Sequence, residues 1–160
     1  MRKIINPYDT LPGSHCFGCS KQNLQGLQME FYEEGEEIIS RWTPKRAFQG
    51  YNNVLHGGIQ ATLMDEIASW LVYVKMLTAG VTSKLDIRYK KPVPIDQGAL
   101  ELRAKINEVK RNLVFISIVL YDAEKNLCSQ AEAVFFTYSR EYSQKHLGYP
   151  ENPNLYEEEA

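Results

Sequence analysis

Residues 54–66 read VLHGGIQATLMDE: a histidine and two glycines, then a run rich in Ile, Leu, Met and Ala that carries two acids, Asp65 and Glu66. Glycines at a helix start leave the first-turn N–H groups unshielded by side chains. Those groups are unpaired within the helix and sit at the positive end of its dipole. Such amides can hold a carbonyl that develops negative charge. A carboxylate at position 65 would add a nucleophile or a general base, and together the two suit acyl transfer. Two plainer readings stay open: the glycines let the helix approach a neighbouring strand, and the acids sit at its one wet edge.

The element that must carry these residues is the only long helix candidate, from residue 57 to about residue 77, with Gly80 as its stop signal. On a helical wheel Thr62, Asp65, Glu66, Ser69 and Tyr73 form a narrow polar stripe, and nearly all other positions are apolar. A helix of that kind is mostly enclosed, its stripe facing a thin strip of water or a partner chain.

Around it the pattern is β-like. Strands are expected at residues 27–32 and 37–42, either side of the acidic turn EEGE. After the helix, VTSKLDIRYK alternates Val81, Leu85, Ile87 and Tyr89 with Thr82, Lys84, Asp86, Arg88 and Lys90. ALELRAKINEV alternates cleanly, while NLVFISIVLYD reads as a strand buried on both faces. A turn at AEKN leads to a last strand, LCSQAEAVFFTY, and a short helix is expected near residues 141–146. One helix after the first strands, followed by four antiparallel strands in meander-like order, implies an α+β domain. The expected division is an irregular lead-in (residues 1–26), the domain (27–140) and a tail (141–160) with a mobile end.

The totals bound the function. A length of 160 residues suits one domain, and 44% hydrophobic with 24% charged residues is an ordinary globular mix. A net charge of −2 gives no electrostatic reason to expect nucleic acid. No apolar run reaches the ~20 residues of a membrane span, and no secretory signal is expected in MRKIINPYDT. Three cysteines, an odd count, argue for a reducing compartment, so a cytoplasmic protein is expected.

HGGIQATLMDE followed by VTSKLDIRYKKP resembles the hotdog-fold thioesterases of the phenylacetate-pathway (PaaI-like) group. The likeness covers roughly residues 16–138 and includes the upstream CFGCSKQNLQGLQMEFY. It implies a hotdog fold, one long central helix wrapped by an antiparallel sheet, and hydrolysis of an acyl-CoA thioester. Asp65 matches the family's catalytic carboxylate, as nucleophile or as base for a water. Gly57 matches the residue whose N–H polarises the thioester carbonyl, with Gly58 beside it, and His56 helps orient the site. Thr82 falls at a Ser/Thr position thought to reach the other subunit's site, with Ser83 adjacent. Many members have Asn where this chain has Gly50; Gln49 is the expected substitute, with Asn52 and Asn53 as fallbacks. Lys84, Arg88, Lys90 and Lys91 could meet the phosphates of coenzyme A, or form an ordinary solvated strand face. The resemblance implies a homodimer or dimer of dimers (a homotetramer), no metal, and no cofactor apart from coenzyme A as part of the substrate.

HCFGC places His15, Cys16 and Cys19 together, a spacing that can hold zinc or act as a redox pair. No second pair lies at ligand spacing and Cys128 falls in a strand, so a structural or incidental role is expected. Two other functions compete with hydrolysis: a hotdog enoyl-CoA hydratase or dehydratase using His56 and Asp65, and a non-catalytic acyl-CoA-binding module.

Overall fold

Gly57–Lys75 forms a single 19-residue α-helix, α1. A computed structural model describes residues 1–157 and places α1 against five strands of one sheet. Leu63, Met64, Ile67, Ala68, Leu71 and Val72 are 0% exposed. Those residues span one broad face, about half of the helix's circumference, opposite the polar stripe. Gln60, the polar residue among them, is satisfied: its Nε2 donates to Leu55 O (3.3 Å), and its Oε1 accepts from Ser129 Oγ (3.0 Å).

The strands are β1 (Arg2–Lys3), β2 (Tyr32–Glu34), β3 (Glu37–Trp42), β4 (Gly80–Tyr89), β5 (Leu100–Lys110), β6 (Leu113–Tyr121) and β7 (Leu127–Thr137). They form one antiparallel seven-stranded sheet in the order β1-β2-β3-β5-β6-β7-β4. The α+β arrangement follows the sequence expectation, but β4 does not sit beside β5 as a meander would have it. The chain crosses over α1 and lays β4 on the far side of β7, where it is a mostly exposed edge.

Three local expectations need correction. The strand expected at residues 27–32 begins only at Tyr32, as β2, because Gln28 takes a left-handed φ of 52° and breaks any ladder. The amides of Leu27 and Met29 instead bond the Phe17 and Gly18 carbonyls, at 2.7 and 2.9 Å. The helix stops at Lys75 through Leu77, whose φ is 52°, and not through Gly80. Gly80 opens β4, where a Cβ would sit 3.0 Å from Phe136 O. Finally, β6 is buried on one face only. Val114, Ile116, Ile118 and Leu120 point to α1, while Leu113, Phe115, Val119 and Tyr121 are half-buried on the sheet's outer surface.

The short second helix, α2 (Arg140–His146), is capped by Ser139. The chain beyond it packs back: Tyr149 is buried and donates to Tyr73 O (3.3 Å), and Tyr156 bridges to Ile4. The mobile end expected of the tail includes residues 158–160, which lie outside the described residues.

One ion cluster fastens the β3–β5 edge. Glu101 is bonded by Arg103 (2.9 Å), Lys125 (3.1 Å) and Arg41 (3.2 Å). Burial alone would raise its carboxyl, but these three cations outweigh it and hold it down to about 2. The unfolded chain therefore takes up the proton first as pH falls below about 4.5. The stabilisation is complete above that pH and is lost towards pH 2. Arg41 and Lys125 are more than half exposed, so solvent screening cuts the contribution to about 1–2 kcal/mol. Glu101→Gln should lose that much in urea unfolding at pH 7 and nothing at pH 2; an equal loss at both would disprove the charge origin.

Candidate active site

His56 caps α1 with its own ring. Its Nδ1 accepts the Gly58 N–H at 2.9 Å, which leaves the proton on Nε2 in the neutral ring. That bond removes Gly58 from the donors available to a ligand, a correction to the expectation that both glycine amides face the carbonyl. Among the described residues the Gly57 N–H has no acceptor. Gly57 lines an open depression of about 380 Å³ with Gly50, Tyr51, Val54, Leu55 and His56. Its own carbonyl accepts from Tyr89 Oη at 2.8 Å, and the Tyr89 ring lies 3.5 Å from where a Gly57 Cβ would be. Tyr89 thus holds the helix start in place, a role that no spacing rule had assigned to it.

Asp65 lies two turns further on, where its Oδ1 accepts from Thr82 Oγ1 at 2.5 Å. Simple alternation would have turned Thr82 away with Lys84. The ladder instead shifts between Thr82 and Lys84: Thr82 pairs with Phe135 and Lys84 with Val134, leaving Ser83 as the extra residue of a bulge. Thr82 thereby joins Leu85, Ile87 and Tyr89 on the inner face, and Val81 turns outward, 45% exposed. Thr82 therefore bonds the Asp65 of its own chain. Ser83 is exposed and makes no side-chain bond among the described residues.

Asp65 and Gly57 cannot act on one carbonyl within a single chain. Eight residues of helix separate them by about 12 Å along the axis.

The remaining candidates lie elsewhere. Gln49 Oε1 accepts from the Asn53 amide (3.3 Å), stabilising that residue's left-handed turn (φ 58°). The Asn53 side chain bonds Asp96 Oδ1 (3.0 Å) and the Ile95 amide (3.3 Å), tying the loop before α1 to the one after β4. Both residues line a surface depression with Arg46, Asn52 and Asp96, separate from the one that holds Gly57. At the Asn position of the resemblance, Gly50 packs against His56, with a Cβ falling 3.6 Å from its ring. Arg88 faces outward in a shallow groove between Asp86 and Glu132, while Lys90 and Lys91 are exposed just beyond β4.

Glu66, one residue from Asp65, is not at a wet edge. The lead-in covers it: Cys16 Sγ lies 3.6 Å from Glu66 Oε1, which also accepts the Trp70 indole N–H at 3.2 Å. Burial, then the charge of the Cys16 sulfur, pushes its carboxyl up to about 7. Of the two thiols, Cys16 is lowered, chiefly by a hydrogen bond from Cys19, and Cys19 is raised by that same bond and by burial.

A long helix wrapped by one antiparallel sheet, opening on an unpaired glycine amide and carrying a hydroxyl-bonded carboxylate, defines a protein of the hotdog fold. Residues 52–129, just under half of the chain, match the model described as thioesterase superfamily. Among curated proteins it is similar to acyl-coenzyme A thioesterase THEM4 of Rattus norvegicus, 28% identical over 116 residues, covering 69% of this chain and 49% of the relative. The protein of the same name from Mus musculus is 28% identical over 118 residues, with the same coverage. The chain thus spans about half the length of the curated relatives it matches.

Among solved structures, a thioesterase superfamily protein from Shewanella loihica PV-4 is 26% identical, with a TM-score of 0.62 over 79% of this chain and 96% of that one. Thioesterase HI1161 from Haemophilus influenzae shares the fold at 21% identity, with a TM-score of 0.67 over 75% and 85% of the two chains. A hypothetical thioesterase from Streptococcus pneumoniae TIGR4, solved with coenzyme A, shares it at 20% identity, with a TM-score of 0.64 over 70% and 90%.

Proposed function

We infer that the chain hydrolyses an acyl-CoA thioester to the free acid and coenzyme A. The observation that carries this reading is the Asp65–Thr82 pair on the inner face of β4, in a chain whose helix opens on the free Gly57 N–H. Because the two groups are about 12 Å apart in one chain, the working site combines two copies with their α1 helices antiparallel. Gly57 of one copy polarises the thioester carbonyl, and Asp65 of the other attacks it or activates a water. Thr82 orients the Asp65 carboxylate, leaving its second oxygen to the reaction. The protein is accordingly a homodimer, or a dimer of dimers.

The curated relatives are named acyl-coenzyme A thioesterases, and the pneumococcal neighbour was solved with coenzyme A; both support the substrate class. The exposed Lys90 and Lys91 are the better candidates for the coenzyme's phosphates, since Arg88 already faces the carboxylates of Asp86 and Glu132. Among the described residues no helix is long and apolar enough to cross a membrane; a cytoplasmic setting is part of the proposal. A hydratase would ask His56 to shuttle protons, but its Nδ1 is committed to the helix cap.

Release of free thiol from a panel of aryl-, short- and long-chain acyl-CoAs tests the reading, and no hydrolysis of any member would overturn it. Thr82→Val should keep the shape of the strand and lower kcat about tenfold with little change in KM. That is the roughly 1.4 kcal/mol value of one orienting hydrogen bond. An unchanged kcat would remove Thr82 from the site.

A further inference from the structure

The lead-in and α1 converge on a group of side chains that the hydrolytic reading leaves unused. Cys16, exposed, and Cys19, buried, stand at C-x-x-C spacing, and Glu66 reaches them from the helix. One ligand atom from each, two sulfurs and a carboxylate oxygen, lie within 4.8 Å of one another. Among the described residues Glu66 pairs with no cation; its neighbours are the two thiols and the Trp70 indole. Gly18, between the cysteines, makes room for this approach, because a Cβ there would collide with the Glu66 carboxylate.

The geometry points to a mononuclear zinc site made by Cys16, Cys19 and Glu66, pinning the lead-in to α1 beside Asp65. Two thiolates and one carboxylate oxygen are a donor set zinc accepts, and three protein ligands leave one tetrahedral position for water. That position opens into a cavity of about 390 Å³ whose walls include Tyr8, His15, Trp70 and Tyr73. The Trp70 N–H, bonded to Glu66 Oε1, fixes the carboxylate as an outer-shell donor.

The test uses the full chain, reduced and stripped with a chelator, then titrated with Co2+ as a spectroscopic stand-in and with Zn2+. One ion per chain is expected, with a near-ultraviolet sulfur-to-cobalt charge-transfer band and tetrahedral visible bands that Zn2+ abolishes. Cys16→Ser, at an exposed position, and Cys19→Ser should each weaken the band and the affinity. Glu66→Gln should shift the visible bands and weaken binding at least tenfold. Trp70→Phe should weaken it about tenfold while the band persists. No uptake under reducing conditions would overturn the site. So would a spectrum indifferent to both cysteine variants, or a Glu66→Gln protein with unchanged affinity and bands. A Cys16–Cys19 disulfide in air with no metal uptake after reduction would likewise overturn it, in favour of a redox pair. Far-UV circular dichroism checks that each variant is folded. The readout is metal content and spectrum, so its failure is separate from a failure of hydrolysis.

Discussion

Asp65→Asn should lower kcat for acyl-CoA hydrolysis about a thousandfold, with KM changed only a few-fold. The amide has the size of the carboxylate and can still accept the Thr82 hydroxyl, so the 2.5 Å contact and the fold survive. What it lacks is the negative charge and basicity that either attack on a thioester or activation of water requires. Positioned bases contribute about 10²–10⁴-fold, and a thousandfold loss is about 4 kcal/mol of transition-state stabilisation. Asp86→Asn, on the outer face of β4, the strand that carries Thr82, is the control and should act as the parent protein. Full activity in Asp65→Asn would remove the residue from its role while leaving the class of reaction standing. A Gly57→Pro chain, which loses the N–H at a first helical position that tolerates proline, mixed with an Asp65→Asn chain offers a further check. Each homomer should be poor, while a mixed dimer holds one intact site and should recover activity.

The second large effect concerns stability. Trp70 is 4% exposed, stacks on Phe31 (ring centroids 4.9 Å apart, planes at 20°), and contacts Tyr73 at 5.0 Å. Phe31 belongs to the segment that precedes β2, so this one indole joins the lead-in to the middle of α1. Trp70→Ala should cost about 3–5 kcal/mol, the range for emptying a large buried aromatic site. Trp70→Phe keeps the stack, leaves Glu66 Oε1 without its indole donor, and should cost about 1–2 kcal/mol. Urea unfolding measures both. A loss below 1 kcal/mol in Trp70→Ala would mean that the lead-in does not depend on this contact.

The helix and the sheet were legible from the sequence because each rests on a local pattern. The apolar run around Asp65 called for an enclosed helix, and alternation marked β4 and β5. What could not be read depends on contacts between distant segments. Glu66 looked like the twin of Asp65 until the Cys16 loop, 50 residues upstream, was seen to cover it. The cysteine pair looked short of ligands because the third candidate comes from the helix and not from a second C-x-x-C. Gly80 passed for a helix cap, although its smallness serves the approach of β7. Gly58 passed for a carbonyl-binding amide because a histidine acting as cap lies outside the usual Ser, Thr, Asp and Asn set.

Ser83 is one residue too many for its strand, and the bulge that absorbs it is what leaves Thr82 facing Asp65. Deleting it would restore strict alternation. Thr82 would still pair with Phe135 and Lys84 with Val134, so Thr82 would keep facing the carboxylate and Val81 would keep facing out. The loss of that single codon would thus leave the hydroxyl in place, whereas a regular ladder that kept Ser83 would turn it away. In this stretch a mismatch at position 82 carries more chemical information than a gap at position 83.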